Sequence, residues 1–365
     1  MSHPRDGRSQ SLQTVLSFHA NLGDFQSTRT QTPPVAVINA DQLATDFRVL
    51  ICTSPKAGSG AGRDGIARLV EALQSHHMSV EVTTNIKRVR ECAGFGMTDA
   101  ELTRFTAPVI VTAGGDGTLA LVAQNTPPST VLLPMPLGTE NLLAKHFGFT
   151  ANPNDIIETL LHGIDRPIDA GIANGKLFLV MATCGFDAEV VRAMHLTRRG
   201  HINRFSYTRP ILRTLKRYRF PPLSVTLLSE HPDDGSNDCD QPPHAPQTEP
   251  LLTCRWAMVF NLPKYAASLP IETAAICDDG LLDFTGLTDG SIVSGLRYLG
   301  GILSGRHIHW RDVTRRQITG CRISSPVRVP YQLDGDYAGR LPLEIRVLPN
   351  YIKLRLPTTC PLERS

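Results

Sequence analysis

With 365 residues, 41% of them hydrophobic and 19% charged, the chain can bury a substantial core and is long enough for two domains. A formal net charge of +3 is too small for whole-chain attraction to nucleic acid, so electrostatic partners have to be read from local patches. The eight cysteines, Cys52, Cys92, Cys184, Cys239, Cys254, Cys277, Cys321 and Cys360, form no C-x-x-C pair of a zinc or dithiol site, which fits a reducing compartment. The opening MSHPRDGRSQSLQ lacks the apolar core of a secretory signal, and no stretch has the apolar length of a membrane-spanning helix. A cytoplasmic protein is expected, soluble or at most peripheral on the inner membrane face.

Residues 1–44, rich in Ser, Thr, Gln and Pro, show no helical or strand period and read as a flexible extension. FRVLICT then predicts a first strand, and Ile66, Leu69, Val70 and Leu73 recur on one face of a helix. MSVEVT predicts a second strand, followed by a less regular helical region, the strand APVIVT and the glycine stretch AGGDGT. A short helix through Leu119–Gln124, the strand TVLLP, the loop MPLGTEN and helical segments to about Gly163 complete an α/β domain over 45–165. After Asp165 the rhythm turns to strands. RPIDAGIA and KLFLVMAT flank the hairpin signal Asn174-Gly175, and LSVTLL, TCRWAMVF, LLDFTGL, CRISSPVRV, LEIRVL and YIKLRLP follow. They predict a β-rich, sandwich-like domain over 166–357, whose last strands can return to the first domain, and a tail over 358–365. A cationic helical stretch, about 188–219, and an acidic, Pro-rich insertion at 229–250, expected as a disordered loop, interrupt it.

Three loops at strand ends carry candidate chemistry. In AGGDGT, Gly114, Gly115 and Gly117 let backbone N–H groups approach phosphate, Thr118 adds a hydroxyl, and Asp116 can position a metal or water; a tight turn with Asp116 as helix cap is the structural alternative. Upstream, Ser54 to Gly62 offers amides, hydroxyls and the Lys56 ammonium, without P-loop or Rossmann spacing. In Pro136 to Asn141, Thr139 and Asn141 can hold nucleotide or cap a helix.

Taken in order, these loops resemble the diacylglycerol kinase catalytic-domain family, bacterial lipid kinases related to diacylglycerol, sphingosine and ceramide kinases. The resemblance runs from about Arg48 to Pro357. It continues through Cys184-Gly185-Phe186-Asp187-Ala188, through Asn261 with Pro263, Tyr265 and Pro270, through Asp278-Asp279-Gly280-Leu281-Leu282-Asp283, and through Leu333-Asp334-Gly335-Asp336.

The resemblance implies an ATP-dependent lipid kinase of phospholipid metabolism with Mg²⁺, its active site in the interdomain cleft. Thr83, Gly114, Gly115, Asp116, Gly117, Thr118 and Thr139 would surround ATP, with Ser54 and Lys56 beside them. A second metal loop would offer the Asp279 carboxylate and the Ile276 and Leu281 carbonyls; a plain Asp-Gly turn is the alternative. Asp336 falls where the family carries a glutamate that accepts the substrate proton. Ser54 stands where Asn is usual, and Glu140 where a small residue is common. Two other readings stay open: an NAD kinase-like enzyme, and a catalytically weak lipid- or nucleotide-binding protein. ATP and a lipid are the expected partners, with no nucleic acid, and the sequence leaves the oligomeric state open. The cations Arg192, Arg198, Arg199, Arg204, Arg209, Arg213, Lys216, Arg217 and Arg219 suit either an anionic membrane surface or a solvated helix face.

Overall fold

Strands that are apolar along their whole length need cover on both faces, and such strands assemble into a parallel sheet between helices. β1 (Arg48–Thr53), β3 (Val109–Gly114) and β4 (Val131–Pro136) do so, and the mixed, partly exposed β2 (Ser79–Thr83) takes the edge in the order β2-β1-β3-β4, with β3 entirely buried. The computed structural model describes residues 48–54, 60–103, 105–197, 214, 217–228, 252–263 and 271–360. The expected extension at 1–44, Lys56, most of the cationic stretch and the insertion at 229–250 lie outside the described residues. Helix α1 (Gly60–Ser75) buries Ile66, Leu69 and Leu73 and half-buries Val70, the face the spacing predicts. The irregular helical region is α2 (Ile86–Ala93), capped by Asn85, and the single turn α3 (Asp99–Leu102). α4 (Asp116–Ala123), α5 (Leu142–Phe147) and α6 (Pro153–His162) complete the lobe. Because β2 and β3 flank β1, the chain reverses its direction of winding there. The carboxyl ends of β1 and β3 therefore border the crevice where α/β sheets bind ligands.

β5 (Ile164–Ala173) and β6 (Lys176–Phe178) form the predicted hairpin, with Asn174 at φ 47° and Gly175 at φ 77°. β7 (Met181–Cys184), helix α7 (Phe186–Thr197), β8 (Leu223–Leu227), β9 (Leu252–Cys254), β10 (Trp256–Phe260) and β11 (Leu282–Leu287) follow. Helix α8 (Ile292–Leu303), β12 (Val313–Ile318), β13 (Gly320–Ser324), β14 (Pro330–Leu333), β15 (Asp336–Arg340) and β16 (Leu343–Leu356) close the chain. KLFLVMAT and TCRWAMVF are not single strands: each breaks so that β6 and β9 join one sheet while β7 and β10 join another. LEIRVL and YIKLRLP, conversely, are one strand with a bulge between Leu348 and Ile352. CRISSPVRV yields only β13, and α8, β12 and the β14–β15 hairpin have no counterpart in the sequence reading.

The second sheet runs β12-β11-β10-β7-β14-β15. Its inner residues, among them Ala182, Cys184, Val259 and Phe284, pack on Val225, Cys321, Ile323 and Ile345 of the first sheet to make the sandwich core. β16 ties this sandwich to the α/β lobe. Along it β5 pairs with Ile345–Leu348 and Ile352–Leu356, while β13 pairs with Leu343–Arg346 and β4 pairs in parallel with Lys353 and Leu354. The described residues all fall within one compact unit, Ala44–Ser365.

Candidate active site

The loop after β3 and the loop after β4 are in van der Waals contact. A side chain on Gly138 would meet the Gly115 Cα and the Asn141 Oδ1, both at 2.6 Å, so glycine there is a requirement of close approach. Gly114 receives the amides of Leu137 and Gly138 on its carbonyl, and Asn141 closes the second loop by accepting from the Gly138 amide at 2.9 Å and donating to its carbonyl. Asp116 joins the two loops. Its carboxylate accepts the Leu142 amide at 2.8 Å and the Leu143 amide at 3.1 Å, the first free amides of α5. Burial raises its pKa, those amides and Lys145 work against the rise, and Glu140 adds to it. The expected metal or water contact therefore shares Asp116 with a capping role. A small cavity lined by Thr112, Asp116, Leu119, Pro134 and Asn141 lies beneath.

Thr118 folds back over Gly114, where a Cβ would meet its Oγ1 at 2.4 Å. Thr139 is exposed, and Glu140 beside it reaches to 3.7 Å from Lys145. Ser54, half-buried, directly follows the carboxyl end of β1. The Thr83 hydroxyl accepts the Asn85 amide at 3.0 Å at the entry to α2.

Asp336 arrives from the other lobe. Asp334, at φ 48°, and Gly335, at φ 87°, make the two-residue turn between β14 and β15, and the next side chain, Asp336, is exposed with its Oδ2 3.2 Å from the position of a Cβ on Gly117. The two carboxylates of this turn differ. Asp334 accepts the amides of Leu179, Val180 and Met181 at 2.8 to 3.0 Å where the chain crosses between sheets. Burial, with a contribution from the Asp116 charge, pushes its pKa up to about 7. A buried polar chain braces the turn from behind. The Gly335 amide donates to Gln332 Oε1 at 2.7 Å, Gln332 Nε2 to Thr183 Oγ1 at 2.9 Å, and Thr183 to Asp187, which also takes the Trp256 indole N–H at 2.6 Å. Sequence reasoning gave Gln332 no role, although a lone amide inside the apolar strand PYQL was the signal.

The Asp278-Asp279-Gly280-Leu281 loop lies in the second lobe. Asp279 accepts from the Leu281 amide and from Gln317, while buried Asp169 accepts the Gly280 amide and, on its other oxygen, the Asn350 amide in the β16 bulge, both at 2.7 Å. Negative charge is concentrated here. Burial first, then the charges of Asp279 and Asp278, raise the Asp169 pKa against the pull of the Asn350 and Gly280 amides, and one oxygen of buried Asp283 has no hydrogen-bond partner. No group of three or more His, Cys, Asp or Glu side chains able to hold a metal occurs among the described residues. The donors expected from Ile276, Asp279 and Leu281 include only one side chain; all are oxygens, which fits a hard divalent cation.

Glycine loops at parallel strand ends, met by a carboxylate on a hairpin of a β-sandwich lobe, are the architecture of a two-lobed kinase. Residues 48–173 match the family model described as the diacylglycerol kinase catalytic domain, and residues 180–356 match that of the YegS C-terminal NAD kinase beta sandwich-like domain. The chain belongs to the diacylglycerol kinase catalytic-domain family. It is 23% identical to a diacylglycerol kinase of Bacillus subtilis (strain 168) over 85% of this chain and 96% of that one. It is 27% identical to a "Probable lipid kinase YegS-like" of Pseudomonas aeruginosa (strain UCBPP-PA14) over 88% and 97%. A crystal structure of a diacylglycerol kinase from Bacillus anthracis str. Sterne shares the fold, with a TM-score of 0.58 and 21% identity over 85% of this chain and 97% of that one.

Proposed function

We propose that the protein transfers the γ-phosphoryl group of ATP to the hydroxyl of a lipid, diacylglycerol or a related acceptor. The observation that carries this reading is the Asp336 carboxylate standing against Gly117 at the start of α4, where a phosphate held by the glycine loops would meet an acceptor hydroxyl. The amides of Gly114 to Thr118, with the hydroxyls of Thr83, Thr118, Thr139 and Ser54 and the Lys56 ammonium, would surround the nucleotide. The lipid oxygen bonds to the γ-phosphorus, the bond to the bridging oxygen of ADP breaks, and Asp336 takes the hydroxyl proton. Mg²⁺ when bound would offset triphosphate charge; Asp116 would help to hold it, and Asp279 with the Ile276 and Leu281 carbonyls would hold a second ion. Asp116 also keeps the two loops in register through α5, so its role includes positioning.

The test is transfer of labelled γ-phosphate from Mg-ATP into a total lipid extract in mixed micelles. Asp336→Asn should lower lipid labelling at least about 100-fold while leaving ATP affinity in place. Label on NAD and on no lipid would move the assignment to an NAD kinase, and ATP binding without any transfer would leave a binding protein.

A further inference from the structure

Helix α8 is seated firmly on its inner side and bare on its outer one. Ser294, Tyr298, Gly301 and Ile302 are buried; the Tyr298 hydroxyl accepts the Asp289 amide at 3.1 Å and donates to Asp312 at 2.5 Å, and a Cβ on Gly301 would strike the Trp310 ring at 2.3 Å. The outward face presents Ile292, Val293, Leu296, Leu299 and Leu303, with Val293 76% and Leu303 64% exposed. A water-soluble amphipathic helix shows the reverse, polar residues outward. The helix contains no acidic residue. Its charge is Arg297, laid over the Tyr298 and Trp310 rings and paired with Asp312, and exposed Arg306, His309 and Arg311 follow its C-terminal end.

We infer that this face docks on an anionic bilayer, a commitment that rests on the lipid acceptor proposed above. An apolar stripe fringed by cations suits a helix lying in the interface with its side chains about 5–10 Å into the headgroup and acyl boundary. A second copy of the chain fits less well. Twelve residues make a helix about 18 Å long, and a strip about 10 Å wide covers far less than the roughly 800 Å² per partner of a stable dimer. Tyr298 and Ile302 belong to the extended apolar cluster that also holds Trp256, Met258 and Phe260 of β10, and β10 lies in the sheet that carries the Asp336 hairpin.

The full chain would be sedimented with extruded vesicles of phosphatidylglycerol and phosphatidylethanolamine, and with phosphatidylcholine alone, in the absence of ATP. Val293→Asp with Leu303→Asp should lower partitioning onto the anionic vesicles by at least about tenfold. Val82→Asp, at an exposed apolar position on β2 of the α/β lobe, should leave it unchanged. Arg306→Glu with Arg311→Glu should cost a smaller, salt-dependent factor. Phosphorylation in detergent micelles, which bypasses docking, should survive in the α8 variant and shows that the site is folded. Vesicle binding by that variant equal to wild type, or no binding by the wild type, would overturn the proposal, as would a wild-type dimer that the variant dissolves. Vesicle binding that depends on α8, in a protein inert toward every micellar lipid, would keep the docking face and remove the kinase reading.

Discussion

Asp283 shows how one carboxylate can set a pH dependence. It is buried on β11 with one oxygen unpartnered; burial first, then the charges of Glu272 and Asp279, push its pKa up to about 6 against the pull of Arg315. Between the ordinary carboxylate value of 3.8 and about 6 the folded state holds more proton than the unfolded chain. The stability this group confers is thus complete below pH 3.8 and lost as pH rises through about 6. Asp283→Asn keeps the shape and removes the charge. Thermal melts should show the variant more stable than wild type at pH 7.5, with the gap closing below pH 5; equal melts at both pH values would refute this account. Two other aspartates, Asp334 and Asp336, stand two residues apart with opposite surroundings, one enclosed by three amides and one open toward the glycine loop. A D-G-D string alone does not separate them.

At the scale of elements, the proton transfer proposed for Asp336 would require the β14–β15 hairpin to hold its carboxylate to within a fraction of an ångström. Its rigidity comes from the Gln332, Thr183, Asp187 and Trp256 chain, which links three strands and α7. Gln332→Leu would strip the Gly335 amide of its acceptor and Thr183 of its donor. A loss of about 1–3 kcal/mol in stability is expected, with kcat lowered about tenfold and KM for ATP little changed. Gln332→Glu, which retains the acceptor for the Gly335 amide, should recover part of kcat. Denaturant titration and steady-state kinetics check both, and a folded Gln332→Leu protein with wild-type kcat would remove the positioning role.

Across the whole molecule the lobes are joined by strand pairing as well as by a linker. β16 pairs with β4 of the α/β lobe and with β13 of the sandwich, while α4 reaches across through Gln124, whose amide donates to the Gly175 carbonyl at 2.8 Å and accepts from the Leu177 amide at 3.2 Å. Calorimetry of the full chain should therefore show one cooperative transition, and two separated transitions would show the lobes to be independent. Relative movement of the lobes, where catalysis uses it, has to bend this shared sheet rather than swing about a flexible hinge.

The sequence by itself determined the parallel lobe, the hairpin at Asn174-Gly175 and the order of the glycine loops. Each depends on residues within a few positions of one another: a continuous apolar run, a helical period, a turn dipeptide. Tertiary structure alone decided where KLFLVMAT and TCRWAMVF break, because both pieces of each run are apolar and periodicity does not mark a crossing between sheets. It also made one strand of LEIRVL and YIKLRLP, since Pro349-Asn350 reads locally as a turn and becomes a bulge only when Asp169, 181 residues away in the chain, accepts the Asn350 amide. The second task of Asp116, the brace behind Asp336 and the bare face of α8 belong to the same class. Hydrogen-bond partners remote in sequence, and the absence of a neighbour over an apolar stripe, leave no period for local patterning to detect.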